Sequence, residues 1–206
     1  MPPLKARRRR TASGWEGLEI FAVGHSTRSA AEFVELLKAH GIRTLADVRT
    51  VPRSRTNPQF NADSLPATLA EAGIRHAHLS RLGGLRKANP DSVNGAWRNA
   101  SFRGYADYMS TAEFERGLDE LRALAREGPV AIMCAEALRW RCHRSLVADA
   151  LWARGVEVRH IESRTRATAH RPTPFARFRG TRVTYPAPER ASRSTRARPT
   201  HESRRS

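Results

Sequence analysis

The 206-residue chain carries 37 Lys and Arg against 20 Asp and Glu, a net charge of +17, and 39% hydrophobic residues. That length gives one ordinary domain plus tails, and the low apolar fraction implies a packed core diluted by unstructured ends. No apolar run approaches the roughly 18 residues of a membrane span, and no signal-type apolar stretch follows the basic N-terminus. Membrane partners are therefore set aside and a cytoplasmic location is expected.

The charge is not evenly spread. Residues 1–12 hold Lys5 and Arg7 to Arg10, and residues 163–206 hold 12 Arg against Glu189 and Glu202, which leaves +2 for residues 13–162. The folded part is near neutral. Basic tails attract polyanions without sequence preference. Arg outnumbers Lys 34 to three, a bias of overall composition that accounts for such tails without a dedicated nucleic-acid arm.

In chain order, GLEIFAV (17–23) reads as a strand ending at Gly24-His25-Ser26. Ser29 caps a helix, AAEFVELLKAH, stopped by Gly41. IRTLADV (42–48) is a second strand, followed by an irregular stretch with Pro52 and Pro58. Asp63 or Ser64 caps a short helix with Pro66 in its first turn. IRHAHL (74–79) is a third strand, and residues 80–100 form a long loop. Helices over 102–110 and 112–127 precede PVAIMC, a fourth strand. The helix HRSLVADALWARG leads to a fifth strand at 156–162. Residues 1–16 and 163–206 read as disordered, leaving a single domain over 17–162. Strands alternating with helices predict a three-layer α/β fold, a mostly parallel five-stranded sheet with helices on both faces.

Right-handed crossovers place every strand's C-terminal end on one edge, outside which ligands bind. The residues that follow the strands are the most chemically capable of the neutral core. They are His25 and Ser26; Asp47, Arg49, Arg53 and Ser54; Gly83 and Gly84; and Cys134, Glu136, Cys142, His143 and Arg144. Each has an ordinary alternative: a helix cap, an ion-pair partner, a turn, a solvated loop face. Together, several Arg around one crevice and a helix start after Cys142 point to an anion site of phosphate type.

The two cysteines admit several readings. A structural disulfide is disfavoured by the expected compartment. Cys134 at a strand end fits a buried free thiol. Cys142, beside His143 and Arg144 at a helix start, fits a lowered thiol pKa. Metal ligation by Cys134, Cys142, His143 and His25 lacks a recurrent spacing, so no metal is assigned. A redox pair is the fourth reading. A Cys followed five positions on by Arg139 is similar in chemistry to rhodanese and tyrosine-phosphatase loops, although Glu136 would oppose an anion there.

The stretches VGHSTRSAAEFVELLKAHGIRTLADVRTVPRSRTNPQFN (23–61), HLSRLGGLRK (78–87) and AIMCAEALRWRCHRSLVADAL (131–151) resemble the domain-of-unknown-function 488 family, with VRHI (158–161) closing the core. The resemblance implies an α/β three-layer fold. It points to His25, Ser26, Asp47, Arg49, Pro52, Ser54, Phe60, Gly83, Gly84, Cys134, Glu136, Cys142, His143 and Arg144, and supplies no activity. The family usually carries a charged, Asp/Pro-bearing loop after Glu136; here it is ALRWR, so Arg139 and Trp140 are local features.

The expectation is an enzyme-like protein with a Cys/His/Arg site at the sheet edge. Cys142 is the activated thiolate, or Cys134 the nucleophile with Cys142 resolving. His143 or His25 is the base, Glu136 and Asp47 orient, and Arg49, Arg53 and Arg144 bind an anionic small molecule of unknown identity. No cofactor is identified. Two rivals are a nucleic-acid-associated module gripping through Arg86, Lys87, Trp97, Arg98, Arg139, Trp140 and Arg141, and a metal-dependent enzyme with Cys/His ligands.

Overall fold

The computed structural model describes residues 14–188. The first strand, β1 (Glu19–Gly24), is followed by α1 (Ala30–Ala39), β2 (Thr44–Asp47), α2 (Leu65–Glu71) and β3 (Arg75–His78). Next come α3 (Ala100–Tyr108), α4 (Ala112–Glu127), β4 (Val130–Cys134), α5 (Arg144–Ala153) and β5 (Glu157–Ser163). Three short strands close the described chain: β6 (Arg166–Ala169), β7 (Arg177–Arg179) and β8 (Arg182–Thr184).

The sheet order is β3-β2-β4-β1-β5-β6; the first five strands are parallel and β6 runs antiparallel beside β5. This is the expected three-layer α/β fold, with six strands rather than five. Strand alternation divides the core. Phe33, Leu36 and Leu37 of α1 and Leu65 and Leu69 of α2 pack with Val23, Leu45, Ala131 and Met133. On the other face, Phe114, Leu118 and Leu121 of α4 and Leu146, Val147 and Leu151 of α5 pack with Ile20, Ala46, Ile132 and Val158. Cys134 belongs to this second cluster, one alternation on from Ile132.

Helix starts follow local chemistry. Ser29 and Glu32 form a full capping box at α1, and Thr111 accepts from the Phe114 amide at α4. The expected cap of α2 differs. Ser64 occupies the position, but its hydroxyl turns to Asp63 and makes no bond to the helix.

Order continues past residue 162, where the sequence ends the domain. Residues 163–188 form β6, β7 and β8, with His170, Ala176, Val183 and Tyr185 buried. At the other end, Trp15 is buried within the expected N-terminal tail. The remaining tail residues, 1–13 and 189–206, lie outside the described residues. The Arg-rich segment has little apolar surface, so its order rests on a few strong anchors. Tyr185 and Phe175 pack on Trp97. Asp149 of α5, fully buried, accepts from His170 Nε2 (2.9 Å), the Thr173 amide (3.0 Å), the Thr173 hydroxyl (2.6 Å) and the Tyr185 hydroxyl (2.9 Å). His170 Nδ1 also meets His160 Nε2 at 3.0 Å, which ties the segment to β5.

Replacing Asp149 leaves these donors buried without their acceptor. Asp149→Ala is expected to cost about 3 kcal/mol or more in chemical denaturation. It should also raise amide exchange over residues 170–185 ahead of the sheet. Equal protection of that segment in the variant would show that Asp149 is not its anchor.

Candidate functional site

The C-terminal ends of β1, β2 and β4 form one edge, as the crossovers require. Beyond β4 the backbone keeps pairing with β1: the amides of His25 and Ser26 donate to the carbonyls of Cys134 (3.0 Å) and Ala135 (2.9 Å). This brings the loop after Cys134 hard against Gly24. A Cβ on Gly24 would lie 2.0 Å from the Glu136 carbonyl oxygen, so only glycine fits. The loop turns through a short 3-10 segment, Arg139–Arg141, and returns Cys142 to the strand end just before α5.

The sulfurs of Cys134 and Cys142 therefore meet, within reach of a disulfide. The expectation that a structural disulfide is disfavoured did not foresee this proximity. Compartment was its only basis, whereas the fold of residues 135–141 decides which atoms touch. The Cα atoms are 7.6 Å apart, wider than the about 4.4–6.8 Å usual for a disulfide.

Arg144, the first residue of α5, is 2% exposed. Its guanidinium donates to Cys134 Sγ (3.0 Å), to the Glu136 carbonyl (3.3 Å) and to the Val23 carbonyl. Its backbone amide points at Cys142 Sγ (3.4 Å). Burial pulls the guanidinium pKa down to about 10, against the raising effect of the Glu136 charge. No carboxylate pairs with it among the described residues.

His143 turns its ring between two loops. Nε2 donates to the Val48 carbonyl (2.9 Å), which leaves Nδ1 as the acceptor facing Cys142 Sγ at 3.8 Å. Gly84 backs the ring, with room for a Cβ only 3.0 Å from Nδ1. Burial drives the His143 pKa down to about 4, against the Val48 hydrogen bond.

A second cluster sits at the same edge, towards the α1/α2 face. Arg49 binds Asp47 through Nε (2.9 and 3.1 Å) and Nη2 (2.6 Å), and Nη2 also donates to the Phe60 carbonyl (2.7 Å). His25 stacks on Phe60 with ring centroids 4.1 Å apart. Its Nδ1 donates to the Ser26 carbonyl (2.8 Å), and Nε2 meets Arg49 Nη1 at 3.4 Å. Burial lowers the His25 pKa to about 4, helped by the Arg49 charge and opposed by the Ser26 hydrogen bond. Burial pushes the Asp47 carboxyl up, but the hydrogen bonds and the charge of Arg49 outweigh it and hold Asp47 at about 2, with His76 Nε2 nearby at 3.8 Å.

The remaining expected site residues separate into lining and framework. Glu136, Gly84, Arg49, Cys134, Cys142 and His143 line one cavity of about 300 Å³. Gly83 is packed against Thr50, whose hydroxyl donates to the Gly84 carbonyl (2.7 Å). Ser26 adopts φ 54° at the strand end. Arg53 is exposed, and Ser54 organises its own loop by bonding the Asn57 amide (3.1 Å). Of the nucleic-acid candidates, Trp97 is spent on Phe102, Phe175 and Tyr185, and the Arg86 guanidinium lies over the Tyr108 ring at 3.8 Å. Among the described residues no group of three or more His, Cys, Asp or Glu is arranged for a metal ion, and no helix is long and apolar enough to cross a membrane.

Sequence reasoning missed the walls of the cavity: Thr50, Val51, Leu85, Phe102 and Tyr105. Only Phe102 and Tyr105 carry a pattern, and it reads as an ordinary helix face.

The fold and edge define a three-layer α/β protein with a paired-cysteine cleft. The chain belongs to the family described as the domain of unknown function DUF488, which matches residues 29–151. No curated protein and no solved structure matches significantly.

The histidines set an acid limit. Both folded-state values lie below the ordinary 6.5, so the unfolded chain binds the extra protons. Their contribution to stability is complete above about pH 6.5 and is lost as pH falls through about 4. Asp47 adds to the loss lower down, between its ordinary 3.8 and about 2. Denaturation curves stepped from neutral pH towards pH 4 should therefore lose about 1 kcal/mol per pH unit for each histidine. His25→Gln should flatten that slope; an unchanged slope would remove His25 from the account.

Proposed function

We propose that this protein is a thiol enzyme in which Cys134 is the nucleophile and Cys142 its resolving partner. The observation that carries the reading is the Arg144–Cys134 contact. A guanidinium that is 2% exposed and lacks a carboxylate leaves its surroundings one negative charge short. A buried charge needs a counter-charge, and Cys134, whose sulfur lies 3.0 Å from the guanidinium, supplies it as a thiolate once the pair is reduced. The same contact lowers the cysteine pKa, because it favours the charged form.

The two cysteines then have different protonation states. His143 is neutral at pH 7, with its Nδ1 lone pair facing Cys142. Cys142 stays a thiol, beside the neutral His143 ring, until its sulfur attacks an adduct on Cys134. Arg49 and Arg144 serve inside the protein, on Asp47 and Cys134, rather than as clamps on a substrate anion.

Alkylation of the reduced protein across pH, with mass mapping, tests this. Cys134 should react with an apparent pKa well below the about 8.5 of a free thiol, and Arg144→Lys should raise it. Cys142→Ser should leave Cys134 reactive and abolish disulfide closure. Ordinary titration of both thiols, or activation of Cys142 alone, would overturn the assignment.

A further inference from the structure

Leu85 is the least explained residue of the cleft. It is a bulky residue with φ 56°, in the left-handed region that costs L side chains energy. It is also 78% exposed, so the fold gains little from burying it. Val51, across the same cavity, is 61% exposed. Phe102 and Tyr105 line the same cavity as the two cysteines. A strained, exposed leucine beside a reactive sulfur pair is accounted for if a ligand covers it.

Charge gives the cavity little preference. Its lining includes Arg141 and Glu136, of opposite sign, and Arg49, which Asp47 neutralises. Selection by this lining therefore rests on apolar contact. A peroxide would leave most of the roughly 300 Å³ unfilled, and the apolar walls offer it few donors.

We propose that the substrate of this cleft is an organic disulfide with an aromatic or branched apolar body, gripped by Leu85 and Val51 while its S–S bond lies over Cys134. The proposal rests on the assignment of Cys134 as nucleophile. The Cys134 thiolate attacks one substrate sulfur, the substrate S–S bond breaks, and the other half leaves as a thiolate. Cys142 then attacks Cys134, its proton goes to the departing sulfur, and the bound half leaves as a thiol. The substrate disulfide is reduced by two electrons, the cysteine pair is oxidised to its disulfide, and a dithiol reductant resets it.

The test is a single turnover of the reduced full-length chain with two neutral reagents, dithiodipyridine and hydroxyethyl disulfide. Each rate is divided by the same reagent's rate with a free small thiol at matched thiolate concentration, which removes intrinsic reactivity. The normalised rate should favour the aromatic reagent by about tenfold or more, the effect expected from burying an apolar body. Leu85→Asn tolerates the left-handed backbone, so it should fold with an undiminished melting temperature and lose about tenfold of that preference. Equal normalised rates, or a preference untouched in the folded variant, would overturn the substrate class while leaving Cys134 as nucleophile. If neither reagent modifies Cys134, the nucleophile assignment itself fails.

Discussion

The buried guanidinium of Arg144 fixes the geometry of the whole sheet edge. It reaches the end of β1 through the Val23 carbonyl, the loop through the Glu136 carbonyl, and the end of β4 through Cys134. Burying such a charge costs several kcal/mol unless its donors are satisfied. These contacts satisfy most of them, with Nε the exception. They also explain Gly24: the carbonyl that Arg144 holds lies where a Cβ on residue 24 would sit. The loop is thus clamped from both sides, and a clamped loop returns Cys142 to Cys134.

Helix α5 links this edge to the far end of the chain. Nine of its ten residues are buried, including Arg144 and Asp149. Each of these charges is met locally, Arg144 by a sulfur and carbonyls, Asp149 by four hydrogen bonds from the C-terminal segment. A helix held by directional contacts at its start and its middle has little freedom to rotate. That rigidity keeps the Arg144 fork and the His143 ring in register with the two sulfurs, as a preorganised site requires. Residues 163–188 therefore support the site without touching it, although the family match ends at residue 151.

The sheet and its capable edge were legible in the sequence because they follow from period and handedness. Apolar runs punctuated by Ser29, Gly41, Pro66 and Gly128 place strands and helices, and right-handed crossovers gather His25, Asp47, Cys134 and their neighbours. What was not legible depends on three-dimensional closure. Alternation sends Cys134 towards α5, whereas His25, Asp47 and Arg49 gather around Phe60 towards α1 and α2. One edge therefore holds two clusters rather than one crowded site. The pairing of the sulfurs depends on a nonrepetitive loop. The folded C-terminal segment escaped notice because a buried carboxylate and a few aromatic rings, not a hydrophobic stripe, hold it.

The distribution of unmet costs distinguishes framework from function. Asp47 is answered by Arg49, Asp149 by its four donors, His143 by Val48. Such groups look catalytic in a sequence, yet their hydrogen bonds are largely accounted for inside the fold. Two costs stand at the cleft. One is the Arg144 charge, which lacks a carboxylate and turns to a sulfur. The other is Leu85, strained and open to water. Natural folds keep such costs where function requires them. The first lies against Cys134 and the second lines the cavity that Cys134 and Cys142 also line, so both belong to one reaction space.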